Sequence, residues 1–330
     1  MPGLRQKVRE DFIMKKYSEK NYYINTPEYD RHFWDAMRGD TYVSDILAKG
    51  VDNATGGFTL PASGDDRLSK TIRRESVFRN LATFVKVGGG SSTIFAKDCD
   101  DLAMWVPENG NIPVFDGMND FTRYPVESHK LAVLVKLDTD FVGDAAFDIE
   151  GYLTGRLAKN FARAEDRGFI TGTGTDMPLG VLDEAAGAET GVTTDALTFD
   201  DVIRLYFALD REYRPGAAWL MNDETALALR RMKDDAGHPL WNPSDSQLLG
   251  KPVFISNDMP SVEAGKTPIV FGDFSYYWII ERSPASVRVL KERFTLVDQI
   301  GYLATEFLDG RLIRREALQG LKINATQAGA

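Results

Sequence analysis

One cysteine in 330 residues, Cys99, cannot close a disulfide within the chain, which suits assembly in a reducing cytoplasm. The three histidines, His32, His129 and His238, stand far apart and outside any metal-ligand spacing, so structural or surface roles are expected of them. No apolar run approaches ~18 residues, and the longest obvious one, Leu131–Val135, stops at Lys136. No membrane partner is therefore expected. The first twenty residues, MPGLRQKVREDFIMKKYSEK, are charged throughout and lack the apolar centre of a signal peptide.

A recognisable reaction centre is missing too. Ala264-Gly265-Lys266-Thr267 looks like the end of a phosphate-binding loop, but position 260 is proline where that loop needs glycine. Pro268 and a strand then follow instead of a helix, so a phosphate would have no nest of backbone N–H groups. Gly172-Thr-Gly174 follows a helix and lacks the third glycine of a dinucleotide fingerprint. No nucleophile elbow is present. Asp234 and Asp235 sit in a turn without the apolar surroundings that raise a carboxyl pKa. The chain is expected not to be an enzyme, with no cofactor, no metal and no catalytic residue.

Charge is present in quantity but unevenly placed. The formal net charge is −10, yet the first twenty residues carry +3, which leaves −13 on the rest. An acidic body argues against a dedicated nucleic-acid binder. The basic leader reads as a solvated arm, with contact to nucleic acid or to an acidic neighbouring subunit as the alternative.

Residues 1–55 form a polar arm rich in aromatics, with a helix over Glu28–Met37 after Pro27. Aromatics exposed on an arm cost ~25 cal/mol per Å² of apolar surface left in water. Tyr22, Tyr23, Tyr29, Phe33 and Trp34 are therefore expected either to dock on another copy of the chain or to pack on their own domain. Gly56–Pro61 leads into the body, followed by a helix over Asp66–Ser76 and strands over Ala82–Val87 and Thr93–Ala96. Residues 98–130 read as a long β-hairpin that projects instead of packing. Asn109-Gly110 and Asp116-Gly117 are turn dipeptides, and Pro107, Pro113 and Pro125 oppose pairing in a central sheet. Its tip offers carboxylates and amides, suited to binding: Glu108, Asn109, Phe115, Asp116 and Asp120.

Residues 148–171 carry Ile149, Leu153, Leu157 and Phe161 at four-residue spacing, opposite Arg156, Lys159 and Arg163. That is an amphipathic helix about 35 Å long, capped by Asp148 and ended by the glycines from Gly172. Asp183–Leu197 reads as a flexible loop. Helices over Phe199–Tyr213 and Asp223–Lys233 follow, with strands over Ala217–Met221, Gly250–Ser256, Ile269–Gly272, Tyr276–Ile280, Val287–Leu290, Thr295–Leu303 and Gly310–Ile313. Helices and strands mix without regular alternation, so the class is α+β.

Taken in order, several landmarks resemble the major capsid proteins of tailed bacteriophages, the Hong Kong 97 (HK97) fold. They are Gly56-Gly57-Phe58-Thr59-Leu60-Pro61, the long helix closing in Gly172-Thr-Gly-Thr-Asp-Met-Pro178-Leu-Gly180, and Trp219-Leu-Met-Asn222. Leu248-Leu-Gly-Lys-Pro-Val253 leading to Met259-Pro260, Phe271-Gly-Asp-Phe274 with Tyr277, and Leu308-Asp-Gly-Arg311 complete the series.

The resemblance implies an N-terminal arm (1–55), an extended loop (98–130), and a peripheral domain of residues 56–97, 131–198 and 294–309 whose spine is helix 148–171. It implies an axial domain of 199–293 and 310–330. Copies would form pentamers and hexamers of an icosahedral shell around double-stranded DNA, bound without sequence specificity. The loop tip and the arm aromatics would be subunit contacts. The protein would reside in the virion after assembly in the host bacterial cytoplasm, with portal, a separate scaffolding protein and a decoration protein as partners. Some members weld subunits by an isopeptide bond from a loop lysine. Residues 98–129 contain no lysine, so locking is expected to be non-covalent. Fifty-five residues are too few for the cleaved scaffolding segment that many relatives carry, so either scaffolding is a separate protein or this chain is the processed form. An encapsulin-like compartment shares the fold and is the alternative.

Overall fold

The computed structural model describes residues 26–38, 58–59, 62–87, 93–97, 105–108, 114, 121–144, 147–242 and 245–325. Its elements in chain order begin with helix α1 (Pro27–Met37), strand β1 (Phe58–Thr59), helices α2 (Ala62–Glu75) and α3 (Phe78–Leu81), and strands β2 (Thr83–Lys86), β3 (Thr93–Lys97), β4 (Phe121–Pro125) and β5 (His129–Asp138). Helices α4 (Thr139–Gly143) and α5 (Ile149–Thr171), strand β6 (Glu189–Thr194), helix α6 (Phe199–Ala208), strand β7 (Ala218–Met221) and helix α7 (Asp223–Arg231) follow. The chain closes with β8 (Gln247–Leu248), β9 (Lys251–Ile255), β10 (Ile269–Gly272), β11 (Tyr277–Leu290), β12 (Gln299–Leu312) and β13 (Leu318–Ile323).

Two sheets carry the body. The first runs β1-β11-β12-β5, with β2 pairing parallel to β11. Helices α1, α2 and α5 pack on one of its faces. Leu153, Leu157 and Phe161 of α5 share a core with Leu68 and Ile72 of α2 and with Val135, Val287 and Tyr302 of the sheet. Asp148 caps α5 by accepting from the Gly151 N–H at 2.9 Å, as the sequence implied.

The second sheet runs β6-β13-β10-β7-β9-β8. Strand β7 reads Ala-Trp-Leu-Met, all four buried, because both faces of the sheet are covered. Trp219 and Met221 face α6 and α7, while Ala218 and Leu220 meet Phe169 and Ile170 at the end of α5. The capping box of Thr198 and Asp201 starts α6, and Asn222 caps α7 while donating to the Met259 carbonyl at 3.2 Å.

Between the sheets lies the glycine-rich exit of α5. Gly180 donates to Gly172 O, Leu179 donates to Gly310 O at 3.1 Å, and the Tyr277 hydroxyl donates to Leu179 O at 2.7 Å. A Cβ at Gly172 would collide with the Pro178 and Gly168 carbonyl oxygens, and one at Gly310 with the Tyr277 hydroxyl. The two glycine landmarks, 172–180 and 308–311, are thus halves of one contact.

Several expectations need correction. Asp183–Leu197 is not all loop: residues 189–194 form β6, parallel to β13, stabilised by pairing and not by an apolar pattern of their own. Residues 277–290 form one bulged strand that belongs to the first sheet, whereas the sequence reading put them with 199–293. Residues 292–297 form a tight 3-10 turn before β12, where a strand was expected.

Candidate subunit interface

Strands β3 and β4 form a ribbon that, among the described residues, pairs with no other strand, from Thr93 opposite Pro125 to Lys97 opposite Phe121. Its base is tied to the body at three places. Tyr124 donates its hydroxyl proton to Ile313 O at 3.0 Å, Ile94 and Val126 pack on Ile280, and the Glu127 N–H donates to Asp309 Oδ2 at 2.9 Å. Burial pushes the Asp309 carboxyl above its ordinary value, against the pull of the Glu127 and Gly310 N–H groups.

Beyond the base, apolar side chains stand in water. Trp105 is fully exposed and Val114 is 94% exposed. Phe95 and Phe121 are more than half exposed, and the Arg123 guanidinium lies 5.4 Å from the centre of the Phe95 ring. Of the tip residues named from sequence, Glu108 is exposed. Asn109, Phe115, Asp116 and Asp120 lie outside the described residues.

The arm aromatics divide. Tyr29 and Phe33 are 1% and 0% exposed, buried in this chain's own core against α2 and α5. For these two the reason offered for docking on a neighbour, rings left in water, is corrected: the chain covers them itself, which was the other expectation. Trp34 is half-buried and donates its indole N–H to Asp30 at 3.0 Å. Tyr22 and Tyr23 lie outside the described residues.

A second apolar corner was missed. At the far end of the β5–β12 pair, Leu296 is fully exposed, with Val297 and Phe141 more than half exposed. The turn is fixed by Asp298, left-handed at φ 56°, whose carbonyl accepts from both the N–H and the hydroxyl of Thr139. The signal was available: Thr-Leu-Val-Asp ends on a residue tolerant of that backbone.

Among the described residues, no group of three His, Cys, Asp or Glu is placed to hold a metal, and no helix is long and apolar enough to cross a membrane. Two cavities of about 540 and 530 Å³ are lined, among others, by Asp183, Asp258 and Lys266 and by His129, Glu165 and Arg167. Gly265, Lys266 and Thr267 line the first of them, but no helix follows.

The body is thus two sheets joined by one long helix, with a separate two-stranded ribbon. Residues 56–323 match the phage capsid family, and the chain belongs to that family. Its fold is HK97-like. A structure titled as the capsid of a native GTA particle is 30% identical, with a TM-score of 0.60 over 77% of this chain and 91% of that one. The capsid of an empty GTA particle is 32% identical, with a TM-score of 0.63 over 76% and 90%. A Microbacterium phage Oxtober96 structure, 16% identical with a TM-score of 0.55 over 76% and 91%, shares the fold. No curated protein matches the chain.

Proposed function

We propose that this chain is a major capsid protein whose copies form pentamers and hexamers of an icosahedral head around double-stranded DNA. The observation that carries the reading is the ribbon: fully exposed Trp105 and exposed Val114 have no cover among the described residues, and a neighbouring copy supplies one. The Leu296 corner is a second such surface. On this reading Glu108, Asn109, Phe115, Asp116 and Asp120 meet the adjacent subunit's peripheral domain, and Trp34, Tyr22 and Tyr23 make arm contacts. Many modest contacts, repeated by symmetry, give the shell its strength without high pairwise affinity. Portal, scaffolding and decoration proteins, and assembly in a bacterial cytoplasm, belong to the same proposal.

Electron microscopy of the purified protein tests it: closed shells are expected. Deleting residues 108–120 should leave folded subunits that fail to close them, and normal shells from the deletion would remove the loop from the mechanism. An encapsulin-like compartment remains the second reading, favoured by one observation: α1 packs inside the chain against α5, as an inner helix would. Nucleic acid within purified particles supports the phage-type head, and a protein cargo supports the compartment.

A further inference from the structure

Helix α5 sorts its charges by face. Its two carboxylates in the second half, Glu165 and Asp166, turn inward and are satisfied there, by Arg79 and by Ser76, Val77 and Phe78. Arg156, Lys159, Arg163 and Arg167 all lie on the exposed side. Lys159, Arg163 and Arg167 enter no ion pair among the described residues, and Arg156 meets only the Tyr152 hydroxyl and ring. The row runs for about 16 Å at ~1.5 Å per residue. On α2, which shares a core with α5, Arg73 is exposed and also without an ion pair among the described residues.

Such a row stands out in a chain of net charge −10, whose excess of carboxylates offers ready partners to exposed cations; of the four, Arg167 feels the Asp258 carboxylate nearby. From this geometry we infer that the outer face of α5 binds the phosphate backbone of double-stranded DNA, and that the helix-covered side of the first sheet faces the particle's interior. This rests on the capsid reading and adds a face and named residues to it. A duplex presents one negative charge per ~1.7 Å of axis, so a straight row of cations meets several phosphates at once. No exposed aromatic stands among positions 159–167, so nothing there stacks bases, and a paired backbone is the better fit than a single strand. The contacts carry no sequence information. The other polyanion on hand is the acidic loop of a neighbour, whose residues 98–120 hold six carboxylates and no Lys or Arg. A loop tip engages one spot, whereas these cations extend along a helix and onto the next.

The test uses the full chain, dissociated from shells, and a 30-base-pair duplex, with binding followed by fluorescence anisotropy at 50 and 200 mM salt. Four phosphate contacts weaken binding about 100-fold over that range, from a slope of ~0.9 per contact. The variant R156Q/K159Q/R163Q/R167Q should assemble normally, bind the duplex at least tenfold more weakly at 50 mM, and show a log–log salt slope shallower by about 3 to 4. Unchanged affinity and slope in a variant that still forms shells would overturn this inference while leaving the capsid reading intact. Loss of shells with unchanged duplex binding would overturn it in favour of the neighbour's loop. Wild-type protein that forms no shells would instead strike at the capsid reading.

Discussion

Arg79 grips Glu165 through two parallel hydrogen bonds, Nε to Oε2 at 2.7 Å and Nη2 to Oε1 at 2.8 Å, and both side chains are closed off from solvent. The same Nη2 reaches Glu306 Oε1 at 3.0 Å. One guanidinium thereby joins α3, the long helix and the central strand β12. The charge and hydrogen bonds of Glu165 and Glu306 hold it ionised against the desolvation of burial.

Removing that guanidinium strands two acids in the interior. Arg79→Met should destabilise the dissociated subunit by about 3–5 kcal/mol, read from urea unfolding. Replacing all three partners together, Arg79→Met with Glu165→Leu and Glu306→Leu, should recover most of the loss. A triple variant as weak as the single one would mean that packing, not the unpaired charge, sets the cost.

Stability should fall as pH rises from about 5 to 8. Burial, reinforced by the neighbouring Glu165 charge, pushes the Glu306 carboxyl up to about 8 from an ordinary 4.5, and its Oε2 has no hydrogen-bond partner among the described residues. The native chain therefore keeps a proton that the unfolded chain releases, so the stabilisation is complete below ~4.5 and is lost as pH climbs through the folded value. Glu165, Asp166 and Asp309, also raised by burial, act in the same direction. Glu306→Gln should flatten the upper part of a plot of urea midpoint against pH. A slope that persists unchanged in that variant would assign the titration to another group.

Trp105 separates folding from assembly. Its side chain is fully exposed, so Trp105→Ser should change subunit stability by no more than ~0.5 kcal/mol. Shell yield, counted by electron microscopy or light scattering, should fall severalfold. Equal yields would move the interface elsewhere, with the Leu296 corner next in line.

Boiling particles in denaturing detergent should release single chains of 36.8 kDa. Residues 98–129 have no lysine to form an isopeptide bond, and one cysteine per chain offers at most a reducible link. A ladder of covalent multimers that survives reduction would contradict this.

What the sequence disclosed was local, and what it concealed was distant. Asp148 announces the long helix because a cap acts within three residues of itself. Strand β11 read as two strands, because a bulge absorbed by a partner has no signature in its own segment. Strand β6, Glu-Thr-Gly-Val-Thr-Thr, looks like a loop until β13 lies beside it. Arg79, Glu165 and Glu306 are scattered over more than two hundred residues, and nothing near any of them foretells the others. Tyr29, Phe33, Ala36 and Met37 follow a helical stripe that fits a core, the second of the two roles the sequence left open for the arm aromatics.

Copies of one amino-acid sequence that close a shell have to meet at more than one angle. Among the described residues the β3–β4 ladder pairs with neither main sheet, so a swing of the ribbon about its Tyr124 and Asp309 moorings would break no rung of either. Curvature would then be absorbed at a hinge of a few side chains, leaving the two cores rigid and identical in every copy.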